Sequence, residues 1–208
     1  MTTPCLRWRL CERLGPVVHV EGATASAGAM KAAPDQVDVI VGEIIPHFLA
    51  LTRRTLEGPL AGIAWSVTRA RPGEWRISAR SGAASISYWL SMATRPTFAE
   101  YRVFGERGTA RLDLFHGFGV FEPGAVSRAA KIARPFGLAT RSLVAASANL
   151  ALRVARAESA YPGLRELVRQ FYEAVRGRTP APISRDESID VAIARDRLIA
   201  LAMPDARP

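Results

Sequence analysis

Glu43 and His47 are the pair of side chains in this sequence best suited to acid–base chemistry. They are four positions apart, so on a helix both would lie on one face. An imidazole changes charge near neutral pH and could accept a hydroxyl proton, while the carboxylate orients the ring or raises its basicity. The competing interpretation is a plain surface or capping histidine, because Pro46 directly precedes it and proline suits the first position of a helix.

The other histidines and the cysteines favour structural roles. His19 falls inside an expected strand, and His116 follows an alternating strand in an expected loop, where it could also line a pocket. Cys5 and Cys11 have neither C-x-x-C spacing nor a matching histidine pair, which argues against a metal site and for reduced thiols in a cytoplasmic protein. The first twenty residues lack the apolar core of a signal peptide.

The chemistry-bearing pair must be held by a helix, which is predicted to begin near Pro46 and to end at Gly58. Before it, the β-branched segment Pro16–Glu21 predicts a strand, and residues 23–36 are small and polar enough for a loop. A further short helix is expected over Leu6–Arg13, ending at a left-handed glycine at position 15.

Period-two alternation from Ile63 to Phe121 predicts a sheet. Short turn signals, such as Arg71-Pro72-Gly73 and Ser81-Gly82, separate the strands and favour antiparallel pairing, because a parallel crossover needs a dozen or more residues. The predicted strands are Ile63–Arg69, Trp75–Arg80, Ser85–Met92, Phe98–Phe104, Thr109–Phe115 and Gly119–Glu122. The aromatic residues on them are expected mainly in the core, with a sugar-stacking or subunit-interface role as the alternative; they are Trp65, Trp75, Tyr88 and Trp89.

The C-terminal third predicts three helices. An amphipathic segment spans Phe136–Ala157, a second helix follows Pro162-Gly163, and a third begins at a capping box formed by Ser184 and Glu187 and runs to about Ala202. The arginine-rich stretch from Arg128 to Arg156 could rest on an acidic membrane surface, but we expect a helix that covers the sheet with its arginines in solvent. The fold class is therefore α+β: an open, mainly antiparallel β-sheet covered on one face by helices.

Composition limits the classes of function. The 208 residues suit one substantial domain, and no apolar stretch is long enough to cross a bilayer. The net charge of +9 is carried almost entirely by arginines spread along the chain, with Lys31 and Lys131 the only lysines. A binding patch for nucleic acid would concentrate the charge, so we expect no nucleic-acid partner.

The order of elements and several motifs resemble the C-terminal domain of the Gfo/Idh/MocA family of dehydrogenases. Leu14–Val18 resembles the entry into the first strand of that domain, and Glu43–His47 with Gly58 resembles the D-x-x-x-H segment and its helix. Val103–Ala110 resembles a glycine-flanked hairpin, and Leu164–Tyr172 resembles the closing pattern of the family.

The resemblance implies the substrate-binding and oligomerisation domain of an NAD- or NADP-dependent sugar or polyol oxidoreductase. It makes His47 the counterpart of the family histidine and places Glu43 at the aspartate position, as a catalytic pair; the family lysine has no counterpart. It further implies that residues 1–15 are the remnant of a linker helix from a nucleotide-binding domain, and that residues 16–203 form one domain.

No residue of this chain is expected to bind the cofactor alone. Dinucleotide binding needs a glycine-rich turn between a strand and a helix, and Gly117-Phe118-Gly119 has the wrong spacing for one. The expected partners are a Rossmann-domain polypeptide or further copies of the chain joined through the sheet face, and a small carbohydrate-like substrate. The chain should then be inactive alone, with its His47 ring facing a cavity beside the open sheet. The alternatives are a non-catalytic assembly or ligand-binding protein on the same sheet, or a basic peripheral binder of membranes or nucleic acid.

Overall fold

The computed structural model describes residues 12–29, 33–124, 127–157 and 164–204. These residues form a seven-stranded sheet in the order β2-β3-β4-β1-β5-β6-β7 and four helices. The strands are β1 Val17–Ala25, β2 Trp65–Arg71, β3 Glu74–Ser81, β4 Ala84–Ser91, β5 Phe98–Gly105, β6 Gly108–Asp113 and β7 Phe118–Pro123. The helices are α1 Pro34–Leu56, α2 Arg128–Ala155, α3 Leu164–Val175 and α4 Arg185–Ala202. The predicted α+β class with a mainly antiparallel sheet is confirmed.

The one parallel pair in the sheet joins β1 to β4. The prediction that each short connection joins neighbouring strands holds for β2–β3–β4 and β5–β6–β7, but not for the link at Arg95-Pro96. That link carries the chain across two strand spacings, about 10 Å, because β1 lies between β4 and β5. Val20 of β1 is fully buried there, between Ile86 and Val103 in the register of its two neighbours.

The core lies between the sheet and the helices α1 and α4. Phe48 of α1 packs against Tyr88 and Tyr101, with ring centroids 5.6 and 6.5 Å apart. Gly22 of β1 makes this approach possible, because a Cβ there would lie 2.8 Å from the Phe48 ring. The aromatic prediction is confirmed for three strand residues, which are buried: Trp65, Trp75 and Tyr88.

A hydroxyl cluster fixes α1 over the middle of the sheet. The Thr52 hydroxyl lies 2.5 Å from the Tyr88 hydroxyl and 3.0 Å from that of Tyr101. Burial raises the pKa of both phenols, so each remains a neutral hydrogen-bonding group.

Asp38 ties the first turns of α1 to the β2–β3 hairpin. Its carboxylate accepts hydrogen bonds from Arg69, from the Gly73 backbone at 2.9 Å and from the Trp75 indole at 2.7 Å. Gly73 adopts a φ of +75° in this turn, which favours glycine. Burial raises the pKa of Asp38, but these donors outweigh it, so the pKa lies below its usual value.

Two helix predictions are wrong in their bounds or environment. The helix that carries His47 begins at Pro34 rather than near Pro46; both prolines fit the first-position rule, and Pro34 occupies that position. Helix α2 begins at Arg128 and does not cover the sheet. Its main contact with the sheet is at the edge strand β7, and its large apolar residues are exposed.

The last helix follows its prediction more closely. Ser184 is the N-cap of α4, and its hydroxyl accepts the Glu187 backbone N–H at 3.1 Å. The Glu187 carboxylate, expected to return to the cap, instead accepts Arg54 Nε at 2.6 Å. The capping-box motif thus gives the correct helix start and also supplies a contact between α4 and α1.

The N-terminal helix predicted over Leu6–Arg13 lies largely outside the described residues, of which 12–14 are helical. Gly15 follows with a φ of +70°, as predicted. No helix among the residues described here is both long and apolar enough to span a bilayer.

Candidate functional site

Glu43 and His47 lie on the face of α1 that is turned away from the sheet. The residues of α1 that meet the sheet include Ile45 and Phe48, which are buried. His47 is two positions after Ile45, which is about 200° around a helix of 3.6 residues per turn. Both Glu43 and His47 are accordingly exposed.

The expectation that the His47 ring faces a cavity beside the sheet is therefore wrong. One cavity of about 360 Å³ lies between α4 and the start of β2, and another lies between α3 and residues 181–183. Neither is lined by Glu43 or His47. Within the described residues the imidazole has no hydrogen-bond partner, so both ring nitrogens are available to a group that covers this face of α1.

Arg195 of α4, which the sequence reasoning missed, holds Glu43 in place. Its Nη2 donates to Glu43 Oε1 at 2.7 Å, and its Nε donates to the Gly42 carbonyl at 3.1 Å. That carbonyl needs a donor because Pro46, four residues later, has no N–H. The guanidinium thus compensates for the proline inside α1 and fixes the carboxylate one turn before His47.

The predicted pair of Glu43 and His47 is therefore present, but no hydrogen bond joins the two side chains. Glu43 and His47 share a face of α1, as their spacing predicted, yet the carboxylate binds Arg195 rather than the imidazole. Pro46, within an otherwise continuous helical pattern, was the signal in the sequence that could have revealed the role of Arg195. The carbonyl of Gly42, four residues earlier, lacks its helical donor and must accept a hydrogen bond from another group.

The two remaining histidines occupy the structural positions expected of them. His19 Nδ1 lies 2.7 Å from the Ser85 hydroxyl, and Nε2 lies 3.0 Å from that of Ser87. His116 lies in the turn between β6 and β7, where its Nδ1 is 2.8 Å from Asp113 Oδ2.

The sheet face opposite α1 and α4, here called the open face, is polar. It carries the alternate strand residues His19, Glu21, Trp89, Glu100 and Arg102. Arg102 donates to Glu100 at 2.9 Å and lies 3.7 Å from Glu21. Burial raises the pKa of Glu100, but hydrogen bonds from two arginines outweigh it and the pKa lies below its usual value.

Trp89 differs from the other strand aromatics because it lies on the open face. It is half-buried and stacks at a tilt on Phe98, with centroids 6.2 Å apart. It is the one of the four predicted aromatics that remains available for the interface or sugar-stacking role.

The Gly117-Phe118-Gly119 segment does not have the geometry of a dinucleotide-binding turn. Gly117 and Gly119 belong to the hairpin that leads from β6 into antiparallel β7, not to a turn between a strand and a helix. The described residues hold no group of three or more histidine, cysteine, aspartate or glutamate side chains placed to bind a metal.

The chain shares its fold with part of several solved dehydrogenases. The chain is similar to the UDP-N-acetylglucosamine 3-dehydrogenase GnnA from Acidithiobacillus ferrooxidans, with a TM-score of 0.62 at 11% identity over 97% of this chain. It is also similar to the WlbA dehydrogenase from Bordetella pertussis, solved with NADH and UDP-GlcNAcA, with a TM-score of 0.57 at 14% identity over 95% of this chain.

These likenesses are structural. A putative oxidoreductase from Klebsiella pneumoniae matches with a TM-score of 0.56 at 12% identity. The chain spans only 58%, 59% and 55% of the lengths of these three proteins, respectively. No model of a known protein family and no curated protein matches the sequence.

Proposed function

We propose that this chain is the substrate-side domain of an NAD(P)-dependent sugar or polyol oxidoreductase of Gfo/Idh/MocA type. The observation that carries the proposal is the shared fold over 97% of the chain together with a carboxylate and an imidazole on one exposed helix face. One similar dehydrogenase is named for UDP-N-acetylglucosamine and the other was solved with UDP-GlcNAcA, which favours a nucleotide-activated sugar among carbohydrate-like substrates.

In this proposal a nucleotide-binding module outside residues 16–203 completes the enzyme. About 40% of the length of each similar structure lies outside the part that this chain matches, and the glycine-containing turn at Gly117 does not suit a pyrophosphate. NAD or NADP, bound by that module, would supply the hydride-accepting chemistry. The sheet domain alone should therefore be inactive.

His47 is proposed as the proton acceptor. Its exposed imidazole would become enclosed when the module covers the outer face of α1, and it would take the proton of the substrate hydroxyl. Glu43 would support it electrostatically from the adjacent turn, restrained by Arg195. Since the family lysine has no counterpart in this chain, no second proton-transfer group is assigned here.

The test is a two-dimensional NMR titration of the isolated chain with UDP-N-acetylglucosamine. Saturable shifts should appear at the outer face of α1, at the amides of Glu43 and Ala50, and should weaken in His47→Ala. The matched control is His116→Ala, which removes a histidine from a distant turn and should leave the shifts unchanged. Shifts confined to other parts of the molecule, or equal effects of the two variants, would contradict the assignment.

We also propose that the open face joins copies of the chain. It combines paired charges with a half-buried tryptophan, a composition suited to a polar interface with an aromatic anchor. Sedimentation velocity should show a dimer that Trp89→Asp dissociates. The open face also suits the second candidate function, a non-catalytic assembly protein. The ion pair between Glu43 and Arg195 favours this candidate, because the carboxylate is then not bonded to His47.

The two candidates differ in their dependence on His47. In a complex reconstituted with the nucleotide-binding module, the oxidoreductase requires His47 for turnover, whereas the assembly protein retains all its properties in His47→Ala.

A cytoplasmic location is part of the same proposal and rests on the absence of disulfide-forming cysteine spacing in the sequence.

A further inference from the structure

Helix α2 exposes a line of large apolar side chains. Ile132, Phe136, Leu143, Leu150 and Val154 recur at intervals of four and seven residues, which places them along one side of the helix. Their exposures run from 61% to 78%. A helix of 28 residues is about 42 Å long, so this apolar side is a long surface that the described part of the chain leaves uncovered.

The charges of α2 all have one sign. The helix contains no acidic residue, and its five charged residues are Arg128, Lys131, Arg134, Arg141 and Arg153. Arg134 and Arg141 lie opposite the apolar line, and the other three lie along one flank of it. Val144 and Leu152 are exposed outside this line, so the helix has one predominantly apolar side and an opposite side and flank that carry its basic residues.

Two of these five cations have partners among the residues that the structure describes. Arg134 pairs with Glu122 at 3.1 Å, and Arg153 reaches the His116 carbonyl at 3.5 Å. Arg128, Lys131 and Arg141 form no ion pair with the residues that the structure describes. The basic side of α2 thus retains positive charge next to the apolar line.

We propose that α2 lies flat on an anionic lipid surface, with its apolar line in the acyl boundary and its basic side among the headgroups. Interfacial helices combine an apolar face with a basic polar face in this way and do not need the length of a membrane span. Pairing through the apolar line with α2 of a second copy would offer no acidic residue to the cations on the flank, whereas an anionic bilayer complements them. This surface is separate from the α1 face proposed for substrate.

The test is flotation of the full chain with phosphatidylcholine vesicles prepared with and without phosphatidylglycerol. Binding should require phosphatidylglycerol and weaken as salt is raised. At roughly fivefold per basic residue, the triple variant Arg128→Gln/Lys131→Gln/Arg141→Gln should bind about 100-fold more weakly. Phe136→Ser/Leu143→Ser should lose binding while keeping the basic residues.

The matched control carries the same loss of charge elsewhere: Arg95→Gln/Arg185→Gln/Arg197→Gln should bind like the parent. Equal weakening by the two triple variants would mean attraction by net charge alone and would overturn the assignment to α2. Absence of phosphatidylglycerol-dependent binding would overturn it as well. So would a lipid-free dimer in sedimentation velocity that Phe136→Ser/Leu143→Ser dissociates, since the occupant would then be a second copy.

Discussion

Arg195 on the last helix donates to the carboxylate of Glu43 on the first helix, at 2.7 Å. The same guanidinium donates to the Gly42 carbonyl, which Pro46 leaves without its helical partner. The proline and the arginine are therefore two parts of one local arrangement, and its consequence is that Glu43 is held beside, but not bonded to, His47.

The coupling between Pro46 and Arg195 can be measured in a double-mutant cycle. Arg195→Ala should lower the free energy of unfolding by about 1–2 kcal/mol, because a hydrogen-bonded carbonyl loses its donor. In a Pro46→Ala background the new backbone N–H at position 46 donates to the Gly42 carbonyl. Arg195→Ala should then lower the free energy of unfolding by clearly less. Urea denaturation provides the values. Equal costs in both backgrounds would contradict the arrangement, and Arg197→Ala, exposed on the same helix, is the neutral control.

Asp38 should be the most sensitive carboxylate for stability. Asp38→Asn places an NH₂ group among donors in a buried site and leaves Arg69 without its charge partner, so we expect a loss of about 2–4 kcal/mol. Glu74→Gln removes the partner of the exposed Arg71 and should cost less than about 1 kcal/mol. Chemical denaturation measures the free energy of unfolding of the two variants. Similar losses of stability in Asp38→Asn and Glu74→Gln would contradict the greater sensitivity expected at Asp38.

The buried carboxylates also predict the direction of the pH dependence. Asp38 and Asp190 have pKa values below the ordinary 3.8, because hydrogen bonds and arginines outweigh the effect of burial. The folded state then binds fewer protons than the unfolded state in this range. Their stabilisation is complete above the ordinary pKa and is lost as the pH falls through the lowered values.

Denaturation measured from neutral to acid pH should therefore show stability falling below about pH 4. Asp190 accepts the backbone N–H groups of Leu60 and Ala61, so Asp190→Asn should flatten the acid limb. An acid limb with the same slope in Asp38→Asn, Asp190→Asn and the parent would show that these groups do not cause it.

Gly22 is predicted to be intolerant of any side chain. Gly22→Ala puts a methyl group 2.8 Å from the Phe48 ring and should destabilise by about 1–3 kcal/mol. Phe48→Leu in the same chain should recover part of this loss, because it removes the ring that the methyl group meets. Gly62→Ala, whose Cβ would meet nothing within 4 Å, is the matched control. Thermal unfolding of the four proteins tests the packing directly.

The sheet was predictable because its signal is local. Alternation and glycine turns located all six strands after residue 60 to within two residues of their bounds, and Ser184 marked the start of α4. The position of β1 between β4 and β5 depends on contacts distant in sequence, which no turn signal encodes.

For the candidate site, the sequence predicted only the spacing of Glu43 and His47 along one helix. Glu43 and His47 share a helix face as four-residue separation requires, but the start of α1 was misplaced because Pro34 and Pro46 satisfy the same rule. The role of Arg195 depends on α4 packing against α1, more than 150 residues later in the chain. The exposed side of α2 likewise could not be foreseen, because amphipathic spacing does not state what the apolar side meets.

The most direct test of the central claim is a fluorescence titration of the isolated, folded chain with NADH and with NADPH. Because cofactor binding is proposed for a module outside this sheet domain, neither nucleotide should bind saturably to the isolated chain. A dissociation constant in the micromolar range for either one would show that the chain holds its own cofactor and would contradict the account.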